Sequence, residues 1–149
     1  MSRDETWYKS RAVSNLRQDP RIRVQRFEDA FMVGLVDMFV SDSRSGIWLE
    51  AKHHVQTETG VVLPKSAITG NQIAWLQHWD RMPHPTGLLL FTDHGWLVCP
   101  QRFILSHLCV LSADKLRHLL SPHPLLKYAE IMESYLRFNQ WAKIVNTVA

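Results

Sequence analysis

The sequence has few of the residues that mark secreted, fibrous or disordered proteins. Among 149 residues it contains two cysteines, six glycines and seven prolines, and 21% of its residues are charged. Cys99 and Cys109 lack both the density of a disulfide framework and the paired spacing of a zinc site. We therefore expect two reduced cysteines in the core of an ordinary globular protein.

Long apolar runs are also missing. The apolar stretch over 103–113 is too short to cross a bilayer, and residues 1–8 are polar and charged where a secretory signal needs an apolar segment. The sequence therefore predicts a soluble, cytoplasmic protein without a membrane partner. With 46% hydrophobic residues, the chain is long enough to bury one compact core.

Hydrophobic periodicity predicts alternating helices and strands without internal repeats or a linker. The predicted elements are, in order, a helix over 5–16, a strand over 21–27, two strands over 31–40 and 47–52 joined by a turn, a helix over 71–82, strands over 87–92 and 96–99, a helical stretch from 101 with a short helix over 112–120, and a last helix over 125–146. This order predicts one α/β domain with a central mixed sheet of four or five strands flanked by helices.

An acidic residue, Asp37, lies in an apolar stretch that is otherwise suited to a sheet interior. If the following turn is centred between Ser43 and Arg44, the antiparallel register places Asp37 opposite Glu50. Two carboxylates so placed repel each other, because their Cβ atoms are about 5 Å apart. Taken alone, Asp37 is also compatible with a solvent-facing edge position or with an ion pair to one basic side chain.

A divalent cation between the two carboxylates would turn this repulsion into attraction. Mg²⁺ prefers oxygen ligands and binds through one or two carboxylates while keeping several waters. Lys52 lies two residues beyond Glu50, so a strand places both side chains on the same face. A metal ion beside a lysine is an arrangement that hydrolyses phosphodiester bonds with a metal-activated water.

The segments LVD over 35–37 and EAK over 50–52, separated by 12 residues, resemble the signature of the PD-(D/E)xK nucleases. The segment TGNQIAWL over 69–76 resembles the glutamine-bearing helix of the virus-type replication-repair nuclease branch, close to Holliday junction resolvase-like phage proteins. Val36 stands where the family has the proline that names its motif. The resemblance covers about residues 5–92.

The resemblance implies a restriction-endonuclease-like core of the order αβββαβ. This core spans about residues 5–99 of a single nuclease domain, and a C-terminal helical extension spans about 101–149. The implied function is a Mg²⁺-dependent endonuclease for DNA, such as branched DNA, that acts as a homodimer in the cytoplasm, or in the host cytoplasm if a phage encodes it. Two other functions stay open: a non-catalytic nucleic-acid-binding protein on the same fold, and a structural protein in which Asp37 and Glu50 each pair with a separate base.

The resemblance also assigns roles to individual residues. In this family two acids hold Mg²⁺, or Mn²⁺ in its place, the middle residue of the triplet adds a backbone carbonyl, the lysine serves catalysis, and a helix glutamine supports the site. By this resemblance the metal ligands are Asp37, Glu50 and Ala51, and the catalytic residues are Asp37, Glu50, Lys52 and Gln72. A further glutamate of the family's first helix corresponds to Glu5 as an additional metal ligand.

Basic residues flank the proposed site in the sequence, and the chain carries a net charge of +3. The candidates for binding nucleic acid are Arg21, Arg23, Arg26 and Lys65, with Arg81 as a further one. They are able to hold phosphates on either side of the cleaved bond, as DNA binding by a charged track requires. The alternative is an ordinary solvated face.

The last predicted helix carries large residues at spacings of three and four. They are Tyr128, Ile131, Tyr135, Phe138, Ala142 and Val145. Such a row packs on the helix's own domain or forms a contact between two copies. A dimer contact is the sharper hypothesis, because the resolvase-like resemblance implies two active sites that cut symmetric strands.

Overall fold

The computed structural model describes residues 4–27, 36–54, 60–79 and 83–145, apart from the side chains of Leu76 and Trp79. Some residues of the predicted elements lie outside this description, namely 31–35, 80–82 and 146.

In these ranges the chain forms three α-helices and five β-strands. In chain order they are α1 (Glu5–Leu16), β1 (Arg23–Arg26), β2 (Met38–Ser41), β3 (Gly46–His53), α2 (Gly70–Trp79), β4 (Thr86–Thr92), β5 (Gly95–Pro100) and α3 (Tyr128–Ile144). The strands form one sheet in the order β1-β2-β3-β4-β5, in which β3 and β4 are parallel and the other neighbours antiparallel. The predicted αβββαβ order and the mixed sheet are confirmed.

The hairpin of β2 and β3 has the predicted register. Met38 pairs with Leu49, as a symmetric turn between the two strands requires. The carboxylate of Asp42 accepts hydrogen bonds from two backbone amides of the turn, each at 2.7 Å, which fixes the turn's centre. The pairing of β2 with β3 ends at Met38 and Leu49. Asp37 therefore lies one residue before β2, and Glu50 is the next residue along β3.

The sheet is covered on both faces. Along β3, Leu49 and Ala51 are fully buried in the cluster that contains the apolar side of α1. Because side chains of a strand alternate, Glu50 and Lys52 lie on the opposite face, where α2 packs. Glu50 and Lys52 therefore share a face, as the sequence predicted.

The segment predicted as helical from residue 101 is not a continuous α-helix. It contains three 3₁₀ helices, Gln101–Phe103, Leu108–Val110 and Ala113–His118, and the last of them lies within the predicted short helix over 112–120. A step of five residues separates buried Leu111 from buried Leu116, and a continuous α-helix would turn these two side chains about 140° apart. The chain instead breaks at Leu111, whose carbonyl accepts the amide of Val62 at 2.9 Å.

The last helix begins three residues later than predicted, at Tyr128. The Glu130 carboxylate accepts the backbone amides of Leu126 and Lys127 at 3.0 and 2.7 Å. These bonds close the first turn as in a capping box, so the chain N-terminal to Tyr128 stays extended.

The row of large residues on α3 packs within its own domain. Tyr128, Ile131, Phe138 and Ala142 are all buried, and α3 lies against β5. The hydroxyl of Ser134 on the same helix accepts the backbone amide of Val98 at 2.8 Å. This row is therefore unavailable as the dimer contact that the sequence suggested.

Both cysteines are buried free thiols, as predicted. Burial raises the pKa of each thiol, which keeps it protonated. Among the described residues no helix is both long and apolar enough to cross a membrane.

Candidate active site

Asp37 lies where β1, β2 and β3 meet. Its backbone carbonyl accepts the amide of Phe27 at 2.8 Å, directly after β1. Its side-chain Oδ2 accepts the backbone amide of Ala51 at 2.7 Å. Two neighbouring strands therefore hold this carboxylate in one orientation beside β3.

Glu50 is buried, with 4% of its surface exposed, and its Oε1 accepts a hydrogen bond from Gln72 Nε2 at 2.7 Å. Gln72 is oriented by the first turn of α2. The backbone amide of Gln72 donates to the Thr69 hydroxyl, and the backbone amide of Thr69 donates to the side-chain Oε1 of Gln72, both at 3.1 Å. This capping box uses the oxygen of Gln72 for the helix and leaves its NH₂ group for Glu50.

The Glu50 carboxyl is electrostatically destabilised in its charged form. Burial raises its pKa to about 8, and the charge of Asp37 contributes in the same direction. Within the described ranges, no Lys, Arg or His nitrogen lies within ion-pair distance of this carboxyl. Asp37 and Glu50 are therefore close enough to influence each other electrostatically, and Glu50 accepts its hydrogen bond from the uncharged side-chain amide of Gln72.

Lys52 lies near the acids without bonding to them. Its positive charge lowers the pKa of both Glu50 and Glu5, so its ammonium group is close to both. Lys52 is half-buried, and among the described residues it makes no hydrogen bond or ion pair. Its ammonium hydrogens are thus available to another group.

Helix α1 brings Glu5 to the same place. Burial raises the pKa of Glu5 and the charge of Asp37 raises it further, whereas Lys52 and Lys9 lower it. Glu5 therefore lies within electrostatic range of Lys52 and Asp37.

Lys9 is a residue of the site that sequence reasoning missed. Its Nζ lies 3.1 Å from Asp37 Oδ1, and both side chains are largely buried. The ion pair that was the alternative explanation for Asp37 thus exists, but it involves only one of the two acids. A detectable signal was the spacing of four residues from Glu5, which places both on one face of α1.

The donor set fits a divalent cation bound by two carboxylates. Asp37 and Glu50 supply hard oxygen ligands, and their mutual repulsion is what a cation would relieve. In the described part of the chain, no group of three or more His, Cys, Asp or Glu side chains forms a metal cluster. The fit is therefore to an ion such as Mg²⁺, which needs few protein ligands and keeps waters.

The two histidines after Lys52 lie at the end of β3, where His53 is the last residue of the strand and His54 follows it. The ring of His53 packs against that of Tyr8 at 5.1 Å, and its Nε2 lies 3.5 Å from Asp93 Oδ1. His54 lines a separate cavity bounded by the β4–β5 turn. Neither histidine is grouped with the acids of the site.

The basic residues predicted to bind nucleic acid differ in their surroundings. Arg23 and Arg26 line an open groove along β1, whose end adjoins Asp37 through the amide of Phe27. Arg21 is engaged by Asp19, at 3.0 Å, and Lys65 is exposed in a short 3₁₀ turn before α2. Arg81 lies outside the described residues.

Comparison with known proteins finds similarity of fold alone. No family model and no curated protein matches the chain. Among solved structures the chain is similar to Hjc, a Holliday junction resolvase from Archaeoglobus fulgidus, with a TM-score of 0.50 and 14% identity over 66% of this chain and 78% of that chain. The chain therefore has a restriction-endonuclease-like fold, as predicted.

Proposed function

We propose that this protein is a Mg²⁺-dependent DNA endonuclease of the PD-(D/E)xK type that acts on branched DNA such as a four-way junction. The fold it shares with a Holliday junction resolvase supports this class of activity. The observation that carries the proposal is the buried Glu50 carboxyl beside Asp37, which accepts a hydrogen bond from Gln72 and forms no ion pair with any described residue. A purely structural ion-pair network would give each acid its own basic partner.

Each residue of the site has a distinct task. Asp37 and Glu50, with the Ala51 carbonyl and Glu5 beside them, would hold the ion. When bound, Mg²⁺ supplies Lewis-acid activation of water and neutralises charge on the phosphate. Lys52 orients the attacking water and stabilises negative charge on the phosphate oxygens with its ammonium group. Gln72 fixes the rotamer of Glu50 through its amide.

Lys9 holds a positive charge against Asp37 before a cation enters. This ion pair and the backbone amide of Ala51 hold the carboxylate in one orientation. A cation held by Asp37 would repel the Lys9 ammonium, which would then be available to contact a DNA phosphate.

Calorimetric titration with Mn²⁺ separates a metal site from an ion-pair network. We expect the native protein to bind Mn²⁺ at one saturable site, and Glu50→Gln to weaken that binding at least about tenfold, because one of two anionic ligands is lost. Glu133→Gln makes the same chemical change at an exposed position of α3 and should bind like the native protein. No saturable binding in the native protein would contradict the proposed metal site.

The arginines of β1 should contribute to DNA affinity through phosphates. We expect the logarithm of the association constant to fall steeply with the logarithm of salt concentration, and Arg23→Gln with Arg26→Gln to reduce that slope by about 0.9 per lost contact. Lys143→Gln, at an exposed position of α3, is the matched control and should leave the slope unchanged. A flat salt response of the native protein would assign these residues to an ordinary solvated face.

Cutting both strands of a symmetric junction requires two sites, so we further propose that the protein acts as a homodimer. The buried side of α3 is excluded as its interface, because it packs on β5.

A further inference from the structure

A small cavity lies between α1 and residues 123–125, on the face of the sheet opposite to Glu50 and Lys52. Its volume is about 220 Å³, and its walls include Trp7, Tyr8, Arg11, Phe91 and His123. Pockets for drug-sized ligands measure about 300–1,000 Å³. This cavity is therefore sized for one small group, and four of its nine lining residues carry an aromatic ring.

The ring of Tyr8 connects the cavity to the catalytic strand. It stacks on Phe91 at 5.2 Å and on His123 at 4.9 Å, and it lies 5.1 Å from His53, the residue after Lys52. The Nε2 of His123 donates to the carbonyl of Thr92 at 2.6 Å, which fixes the histidine ring. Tyr8 is thus a fixed wall with the cavity on one side and β3 on the other.

Trp7 and Arg11 form the outer part of the cavity. The Trp7 ring meets Tyr8 edge-on at 5.1 Å and remains 36% exposed. The guanidinium carbon of Arg11 lies 5.3 Å from the centre of the Trp7 ring, one helical turn along α1. An exposed aromatic ring beside a cation binds a nucleobase by stacking and its phosphate by charge.

We propose that this cavity binds one unpaired nucleobase of the DNA substrate, stacked on Trp7, with Arg11 against the adjoining phosphate. The inference rests on the proposed nuclease function and adds a source of substrate selectivity to it. Every base has a stacking face, so the site reads no sequence. It favours DNA that already carries an unpaired base, because a base in intact duplex must first be unstacked.

Binding measurements in EDTA with two DNAs test this inference. One is a flap that carries the fluorescent base 2-aminopurine at its first unpaired position, and the other is a fully paired duplex of the same sequence. We expect Trp7→Ala to weaken flap binding about 5- to 100-fold and to abolish quenching of 2-aminopurine, while duplex affinity changes less than about twofold. Trp7→Phe, which keeps an aromatic ring, should restore most of the flap affinity.

Leu136→Ala removes an exposed apolar side chain from α3 and should change neither affinity. An equal loss of affinity for flap and duplex, no loss for either, or a Trp7→Phe variant as defective as Trp7→Ala would overturn the inference while native DNA and Mn²⁺ binding remain. A native protein that binds neither DNA nor Mn²⁺ would overturn the proposed function itself, and the cavity's role with it.

Discussion

Replacing Glu50 with Gln is expected to lower the rate of DNA cleavage about 1,000-fold while DNA affinity changes less than about threefold. Gln keeps the volume of Glu and the oxygen that accepts from Gln72 Nε2, so local packing is retained. The substitution removes the negative charge that would hold a divalent cation opposite Asp37. Single-turnover cleavage of a labelled four-way junction in Mg²⁺, with a binding gel in EDTA, measures both quantities.

Glu133→Gln is the matched control for this loss, because Glu133 is an exposed residue on α3. It should cleave at the native rate. Cleavage by Glu50→Gln within about tenfold of the native rate would remove Glu50 from the metal site. Loss of DNA binding together with cleavage would instead mean that the residue supports the fold or the DNA-binding surface.

The same substitution should stabilise the protein when no metal is bound. Burial raises the pKa of Glu50 to about 8, and Asp37 adds to that increase, so the folded protein favours the protonated carboxyl. The contribution of Glu50 to the free energy of unfolding is fully present below its pKa in the unfolded chain, near 4.5. This contribution is lost as the pH rises through the pKa in the folded protein, about 8. Above that pH we expect Glu50→Gln to exceed the native free energy of unfolding by about 2–4 kcal/mol.

Thermal unfolding in EDTA across this pH range measures the difference. The two proteins should unfold at the same temperature near pH 4, and at pH 8.5 the variant should unfold about 5 °C or more above the native protein. Adding Mg²⁺ at pH 8.5 should raise the native unfolding temperature but not that of the variant. Equal unfolding temperatures at every pH would mean that folding does not raise the pKa of Glu50.

The sequence was sufficient to predict the centre of the fold. The turn chemistry of Asp42 and the apolar strands around it define one register, and that register brings Asp37 beside Glu50. The two-residue period of β3 places Lys52 on the same face as Glu50, and the apolar spacing that predicts a helix from residue 71 comes within one residue of the start of α2 at Gly70. Each of these features depends on neighbours within a few residues or across one hairpin.

Features that depend on distant contacts were missed. The spacing of Lys9 from Glu5 shows only that both lie on one face of α1, whereas the ion pair of Lys9 with Asp37 depends on how α1 packs on β3. The short turns between β5 and α3 were predicted as helix because their apolar spacing is partly helical, and only the contact of Leu111 with Val62 shows the break. The cavity beside Trp7 likewise requires residues of α1 and β4 and the segment before α3 to meet.

The most direct test of the central claim is cleavage of a labelled panel of four-way junction, flap, single strand, linear duplex and supercoiled plasmid. The native protein is compared in Mg²⁺ and in EDTA with Lys52→Ala, and with Lys115→Ala as an exposed control. We expect cleavage of the junction that requires Mg²⁺, is lost in Lys52→Ala and persists in Lys115→Ala. Junction binding without cleavage in any condition would contradict the proposed nuclease activity and indicate a non-catalytic nucleic-acid-binding protein on a nuclease fold.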